Sequence, residues 1–175
     1  MNTLLSLALS AALALSLTAC GGNANNSSAS QDNSSGSSSE TTQIPSPWTE
    51  YASLAEAQAA AGFDLTLPTL SADLTQTAFQ VLAGDETILQ ANFRTADDTH
   101  QLNIRKAPGT QDISGDCSTY SVDETVSVDG VDVTVKGNED GYHLAIWTAN
   151  GYTYAISSDD ALTQDALTQL AAAVR

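Results

Sequence analysis

Val126-Ser127-Val128-Asp129-Gly130-Val131-Asp132-Val133-Thr134-Val135 carries the strongest structural signal in the chain. Valine stands at every second position on both sides of an Asp-Gly pair, so one side of each flanking run is apolar and the other polar, the period of a strand. The tight two-residue turn that matches strand twist needs positive φ at both central residues, and Asp-Gly supplies it. This stretch is therefore an antiparallel hairpin. Downstream, Asn138 to Gly141 makes the next turn and His143 to Thr148 the next strand, and Asn150-Gly151 turns tightly into Tyr152 to Ser157. The second half of the chain reads as a meander.

Upstream, Thr77 to Ala83 and Thr87 to Arg94 flank Gly84-Asp85 as a second hairpin, and His100 to Lys106 follows the polar tip Asp97-Asp98. That last strand places Leu102 and Ile104 on one face and Gln101, Asn103 and Arg105 on the other. The link Ala107 to Asp116 holds Pro108, Gly109 and Gly115 and is long for a hairpin, so it should cross an end of the sheet. Phe63, Leu65 and Leu67 alternate before Pro68, which suits an extended edge segment. Two helices complete the set. Ser53 and Glu56 have capping-box spacing before a helix to about Ala61, stopped by Gly62. Thr163 caps a second, to Val174, with Ala166, Leu167, Leu170, Ala171 and Val174 at helical spacing. The expected fold is α+β: an antiparallel sheet of about six or seven strands with both helices packed on it.

Ahead of this domain, Leu4 to about Leu17 is apolar and ends in Leu17-Thr18-Ala19-Cys20. The run has the length of a secretory segment and falls short of the ~20 residues that span a bilayer. Its ending resembles a bacterial lipobox, which implies removal of residues 1–19 and a diacylglycerol on the Cys20 sulfur. Met1-Asn2-Thr3 departs from the usual pattern in lacking Lys and Arg. From Cys20 to Gln43 the chain is Asn, Ser and Gly with little to bury, a tether with a root-mean-square reach of ~25 to 30 Å. The single α+β domain then occupies 44–175. The expected partner at this end is membrane lipid, and the expected location is the cell membrane or outer membrane, with the domain outside the cytoplasm.

Charge narrows the partners. Against 5 Lys plus Arg the chain carries 21 Asp plus Glu, a formal net charge of −16, which repels phosphate backbones and excludes nucleic acid. There are two cysteines. With lipid on Cys20, Cys117 has no intrachain partner, and no neighbouring His or basic residue favours its thiolate. A packed or half-buried small residue is the expectation for it.

Several segments together resemble small exported bacterial proteins that carry the domain of unknown function 4367. They are Ile44-Pro45-Ser46-Pro47-Trp48, Leu54-Ala55-Glu56-Ala57, Ala61-Gly62-Phe63, Ile104-Arg105-Lys106-Ala107, Asp112-Ile113-Ser114-Gly115-Asp116, Val135-Lys136-Gly137-Asn138, and Trp147-Thr148 with Tyr152-Thr153-Tyr154-Ala155-Ile156. The resemblance implies a lipoprotein or a single-span membrane protein with an antiparallel sheet and packed helices, and it implies no activity. Such sequences often have Tyr where this one has Cys117.

No catalytic constellation emerges. His100 and His143 sit on strands, outside any nucleophile-elbow or metal-ligand spacing, and read as exposed. Asp129, Asp132, Asn138, Glu139 and Asp140 gather at hairpin ends but fail the calcium-loop template, and turn chemistry explains them. No metal and no cofactor is expected. The candidate binding residues are Arg105 and Lys106, a basic pair in an acidic chain, with Asp112 and Asp116 in the long loop. Arg105 could instead pair with Asp112 or Asp116 and pin that loop. Trp147, Tyr152 and Tyr154 would form an aromatic strip on an uncovered sheet face, or pack beneath a helix. The function expected is a non-catalytic module for an unknown protein or small-molecule ligand at the cell envelope. The alternative is an envelope sensor or accessory protein that controls a membrane-bound regulator.

Overall fold

The computed structural model describes residues 46–174. The expected signal segment, lipidation site Cys20 and tether lie outside the described residues. Ten elements follow in order: β1 Trp48–Tyr51, α1 Leu54–Ala61, β2 Leu74–Leu82, β3 Ile88–Thr95, β4 Gln101–Pro108, β5 Val122–Val128, β6 Val131–Asn138, β7 Gly141–Ala149, β8 Tyr152–Leu162 and α2 Gln164–Ala173. The strands form one antiparallel sheet in the order β1-β2-β3-β4-β8-β7-β6-β5. It consists of two four-stranded meanders joined where β4 pairs with β8. The link from β4 to β5 must therefore travel from the middle of the sheet to its far edge.

The Asp129-Gly130 hairpin is present. Val128 pairs with Val131 around Asp129 and Gly130, whose φ values are 52° and 81°. Asn150 and Gly151 repeat this geometry between β7 and β8, with φ of 54° and 81°. Both turns thus have the double positive φ that the twist of a two-residue hairpin requires.

The described residues form eight strands rather than six or seven. The additional one is β1, where Trp48 faces Leu82 and Tyr51 faces Phe79. The segment from Phe63 to Leu70 is not a strand. It runs over the helix-covered side, with Leu65 buried, Phe63 against Tyr152, and the Leu65 carbonyl accepting from Gln58 Nε2 at 3.0 Å. The apolar alternation there serves packing, because β1 takes the edge of the sheet.

Strand register separates the two faces. On one, Tyr51, Phe79, Ala91, Ile104, Ile156, Ala145 and Val135 form a row across successive strands. Ala57 of α1 and Leu167 and Ala171 of α2 join the same buried cluster, so both helices cover this face. Fully burying a residue such as Leu89 or Ile104 stabilises the fold by about 1.5–3 kcal/mol each. Ser53 Oγ accepts from Glu56 N and Thr163 Oγ1 from Ala166 N, which fixes the starts of the helices. None of the helices among the described residues is long and apolar enough to cross a membrane.

The opposite face is polar at its centre. Glu50, Gln80, Gln90 and Arg105 form one row and Asn92, Asn103 and Ser157 the next. Here the apolar contacts reduce to a small cluster in which Ile113, from the link, meets Ala107 and Ala155. The link thus crosses a sheet face, not an end.

Candidate functional site

The polar face is organised by Arg105. Its Nε donates to Gln90 Oε1 at 2.5 Å, and Nη1 donates to the carbonyls of Ile113 and Ser114 at 3.0 and 2.5 Å. The guanidinium lies 5.4 Å from the centre of the Trp48 ring. Burial pulls its pKa down from the usual value, although a guanidinium stays charged in proteins. Gln90 passes the network on: its Nε2 donates to Asn92 Oδ1 and Gln80 Oε1, and Asn92 Nδ2 also donates to Gln80 Oε1. Arg105 therefore pins the long loop through backbone carbonyls. The expected pairing with Asp112 or Asp116 is not formed, because both carboxylates are engaged within the loop.

That loop is a succession of side-chain-to-backbone turns. Asp112 Oδ1 accepts from Ser114 N, Ser114 Oγ from Asp116 N, and Asp116 Oδ1 from Ser118 N. Tyr120 Oη donates to Asp116 Oδ2 at 2.5 Å, and Asn138 Oδ1 accepts from Ser121 N at 3.1 Å. Burial alone would raise the Asp116 pKa, but the bonds from Tyr120 and Ser118 outweigh it and hold the carboxyl below its usual value. Tyr120 is shifted up, first by burial and then by that bond. Gly115, at φ +65°, passes so close to Arg105 that a Cβ would sit 2.5 Å from Nη1.

Between this loop and the sheet is a cleft of about 580 Å³. Asn103, Arg105 and Ser157 form its floor, Ser114 to Tyr120 one wall, and His143, Ser158 and Asp159 complete the lining with Asn138. His143 stands at the irregularity where β7 and β8 change register. Its Nδ1 is 3.1 Å from the Ser158 carbonyl and its ring stacks on Tyr120. With 17% of its side chain accessible it is not the exposed histidine the sequence suggested. His100 is exposed, as expected, with Nδ1 2.7 Å from Asp160 Oδ1. Cys117 is exposed on the cleft wall, not packed.

Of the predicted binding residues, the cleft brings together only Arg105 and Asp116. Asp112 shapes the loop outside it. Lys106 follows Arg105 in sequence and so points to the other face, since neighbours in a strand alternate. There its Nζ donates to the Asp64 carbonyl at 2.6 Å and lies over the rings of Phe63, Tyr152 and Tyr154, and burial lowers its pKa. Trp147 and Tyr154 are buried beneath the helices and stack at 5.2 Å, with Tyr152 at their edge. The aromatic strip is therefore core, and the loop and the strip lie on opposite sides of the sheet. Asp129 and Asp132 also lie some 20 Å from Asn138, Glu139 and Asp140, at the far end of β6. Among the described residues no group of three or more His, Cys, Asp or Glu could hold a metal ion.

Asn103, His143, Ser157, Ser158 and Asp159 also line the cleft, and no sequence motif marks them. The available signal was the outward Gln101, Asn103, Arg105 series: a strand face built of amides and a guanidinium offers more donors than a solvent face needs. Chemically, the cleft offers hydrogen-bond donors, acceptors and one cation. Comparison with known protein families, curated proteins and solved structures gives no match.

Proposed function

We propose that this chain is a non-catalytic binding module at the cell envelope, anchored by lipid on Cys20, and that the cleft beside Arg105 receives a small polar ligand. The observation that carries the reading is the loop spanning residues 109–121, held by one guanidinium over the helix-free face so that a polar cleft stays open beneath it. A loop serving only to cover the sheet would be expected to seal it with apolar side chains, as Ile113 does at one point. The cleft is within the range of pockets that take small molecules, about 300–1,000 Å³, and loops on a rigid sheet are where binding residues concentrate. The lipobox-like Leu17-Thr18-Ala19-Cys20 supplies the anchoring half of the proposal.

Two experiments test the halves separately. Titration of the ¹⁵N-labelled chain with a library of small polar compounds should move the amide resonances of Asn103, Arg105, Ser114 to Tyr120, His143 and Ser157. Shifts confined to the helix-covered face, or none with any compound, would refute the ligand reading. Mass spectrometry of the native product should find an N-terminal diacylated Cys20, and an uncut, unmodified N-terminus would refute the anchor.

A further inference from the structure

We infer that the ligand is a small zwitterion, a free amino acid or short peptide, whose carboxylate sits on Arg105 and Asn103 and whose ammonium faces Asp116 or Asp159. This rests on the reading of the cleft as a ligand site and adds the chemistry of its occupant. The first observation is what Arg105 has left. Its Nε and both Nη1 hydrogens are used on Gln90, Ile113 and Ser114, whereas Nη2 has no protein acceptor among the described residues and, since no buried side-chain nitrogen there lacks a partner, is open to water in the cleft. Asn103 is in the same position: its Oδ1 accepts from Gln101 Nε2 at 2.9 Å, and its Nδ2 has no acceptor among the described residues. The two side chains lie two residues apart on one strand, hence on the same face about 7 Å apart at Cα, and both line the cleft. Unused donors from a cation and an amide ask for a ligand with two adjacent acceptor oxygens, and a carboxylate has them. The fork of Arg105 cannot grip it alone, since the other nitrogens are taken. One oxygen falls to Nη2 and the other to Asn103 Nδ2.

The second observation is electrostatic. Asp116 and Asp159 share the cleft with Arg105, yet neither forms an ion pair with it within 4.0 Å. A cation and two carboxylates are thus held apart in one cleft, which suits a ligand carrying both charges. The net charge of −16 opposes a ligand with net negative charge, whereas a carboxylate that brings its own ammonium meets no such repulsion. A neutral ligand would leave the half-buried guanidinium without a counter-charge.

Calorimetry on the full chain in detergent, with L-alanyl-L-alanine, its C-terminal amide, its N-acetyl form and maltose, tests the inference. The free dipeptide should bind, and either cap should weaken binding by about tenfold or more, the loss expected for one charge-assisted contact. Asn103→Leu should weaken the dipeptide by about tenfold while leaving the melting temperature of the ligand-free chain near that of wild type, because this side chain bonds only to exposed-face Gln101. Arg105→Met should abolish binding, and Asn103→Leu keeps the test valid where loss of Arg105 also loosens the loop. Equal affinity for the amide overturns the carboxylate assignment, and equal affinity for the N-acetyl form overturns the ammonium assignment. If maltose alone perturbs the cleft resonances, the zwitterion is wrong and the ligand-site reading stands. If none of the four binds, the zwitterion is again wrong, and the library titration decides the ligand-site reading by itself.

Discussion

Replacing Gly115 by Ala tests how the loop is held. Gly115 has φ +65°, and an L-residue in the left-handed region costs about 1–2 kcal/mol. The new Cβ would also stand 2.5 Å from Arg105 Nη1, where ordinary contact begins at 3.4 Å. The guanidinium must then move by roughly an ångström, away from the Ile113 and Ser114 carbonyls it bonds at 3.0 and 2.5 Å. It has little freedom to do so while Gln90 holds Nε and the Trp48 ring lies 5.4 Å away. A hydrogen bond to a charged group contributes about 1.5–3 kcal/mol, and water in the cleft recovers part of that loss. Gly115→Ala should therefore cost about 2–4 kcal/mol in total. In an Arg105→Ala background the clash is gone and only the backbone term of about 1–2 kcal/mol remains. Urea unfolding of the wild type, the two single variants and the double variant, followed by far-UV circular dichroism of the sheet, gives the coupling energy. We expect about 1–2 kcal/mol. A coupling below about 0.5 kcal/mol, the scatter of independent sites, would refute the claim that Arg105 and the Gly115 backbone are fitted to each other.

Further outcomes follow from the same structure. Trp147→Ala should destabilise by about 3–5 kcal/mol, because the indole is buried and stacked on Tyr154; a cost below about 1 kcal/mol in urea unfolding would return it to the surface. Asp97 should titrate at about 2 by ¹³C NMR, drawn down first by Thr95 Oγ1, then by Thr99 Oγ1 and the Thr99 amide. Since its folded pKa lies below the unfolded one, its contribution to stability is full above the usual carboxylate range and is lost as pH falls toward 2; Thr95→Val should raise the titration midpoint, and an unmoved midpoint would refute the cause. Lys106 has its folded pKa lowered by burial, so between that value and 10.5 the unfolded chain binds more protons and stability gained from this residue rises with pH. Lys106→Met should remove that rise and change stability at neutral pH by no more than about 1 kcal/mol, since the stem stays packed; identical pH profiles for wild type and variant would count against it.

Much of the fold was legible because its signals are local. Asp129-Gly130, Asn150-Gly151 and the two helix caps act within a few residues of sequence, and the structure places turns and helix starts at all of them. The edge strand β1 was not legible, since four residues with two half-buried side chains carry no usable period. Phe63 to Leu70 misled for the opposite reason: alternation marks burial on one side and does not say whether strands or helices do the burying. The site was harder still. Its floor comes from two strands and its wall from a loop, and only strand pairing across the β4 to β8 junction brings Asn103 beside Ser157. Arg105 was recognised as unusual, but strand alternation separates it from Lys106, and a loop dense in acceptors leaves carbonyls, not carboxylates, to bind it.

The most direct measurement of the central claim uses Cys117, the exposed thiol on the cleft wall. Maleimide labelling of Cys117, read on its own peptide by mass spectrometry, should slow several-fold when the chain is saturated with a compound that binds it, because the ligand lies against the same wall. An unchanged labelling rate at saturation would place the ligand elsewhere on the molecule and contradict the account.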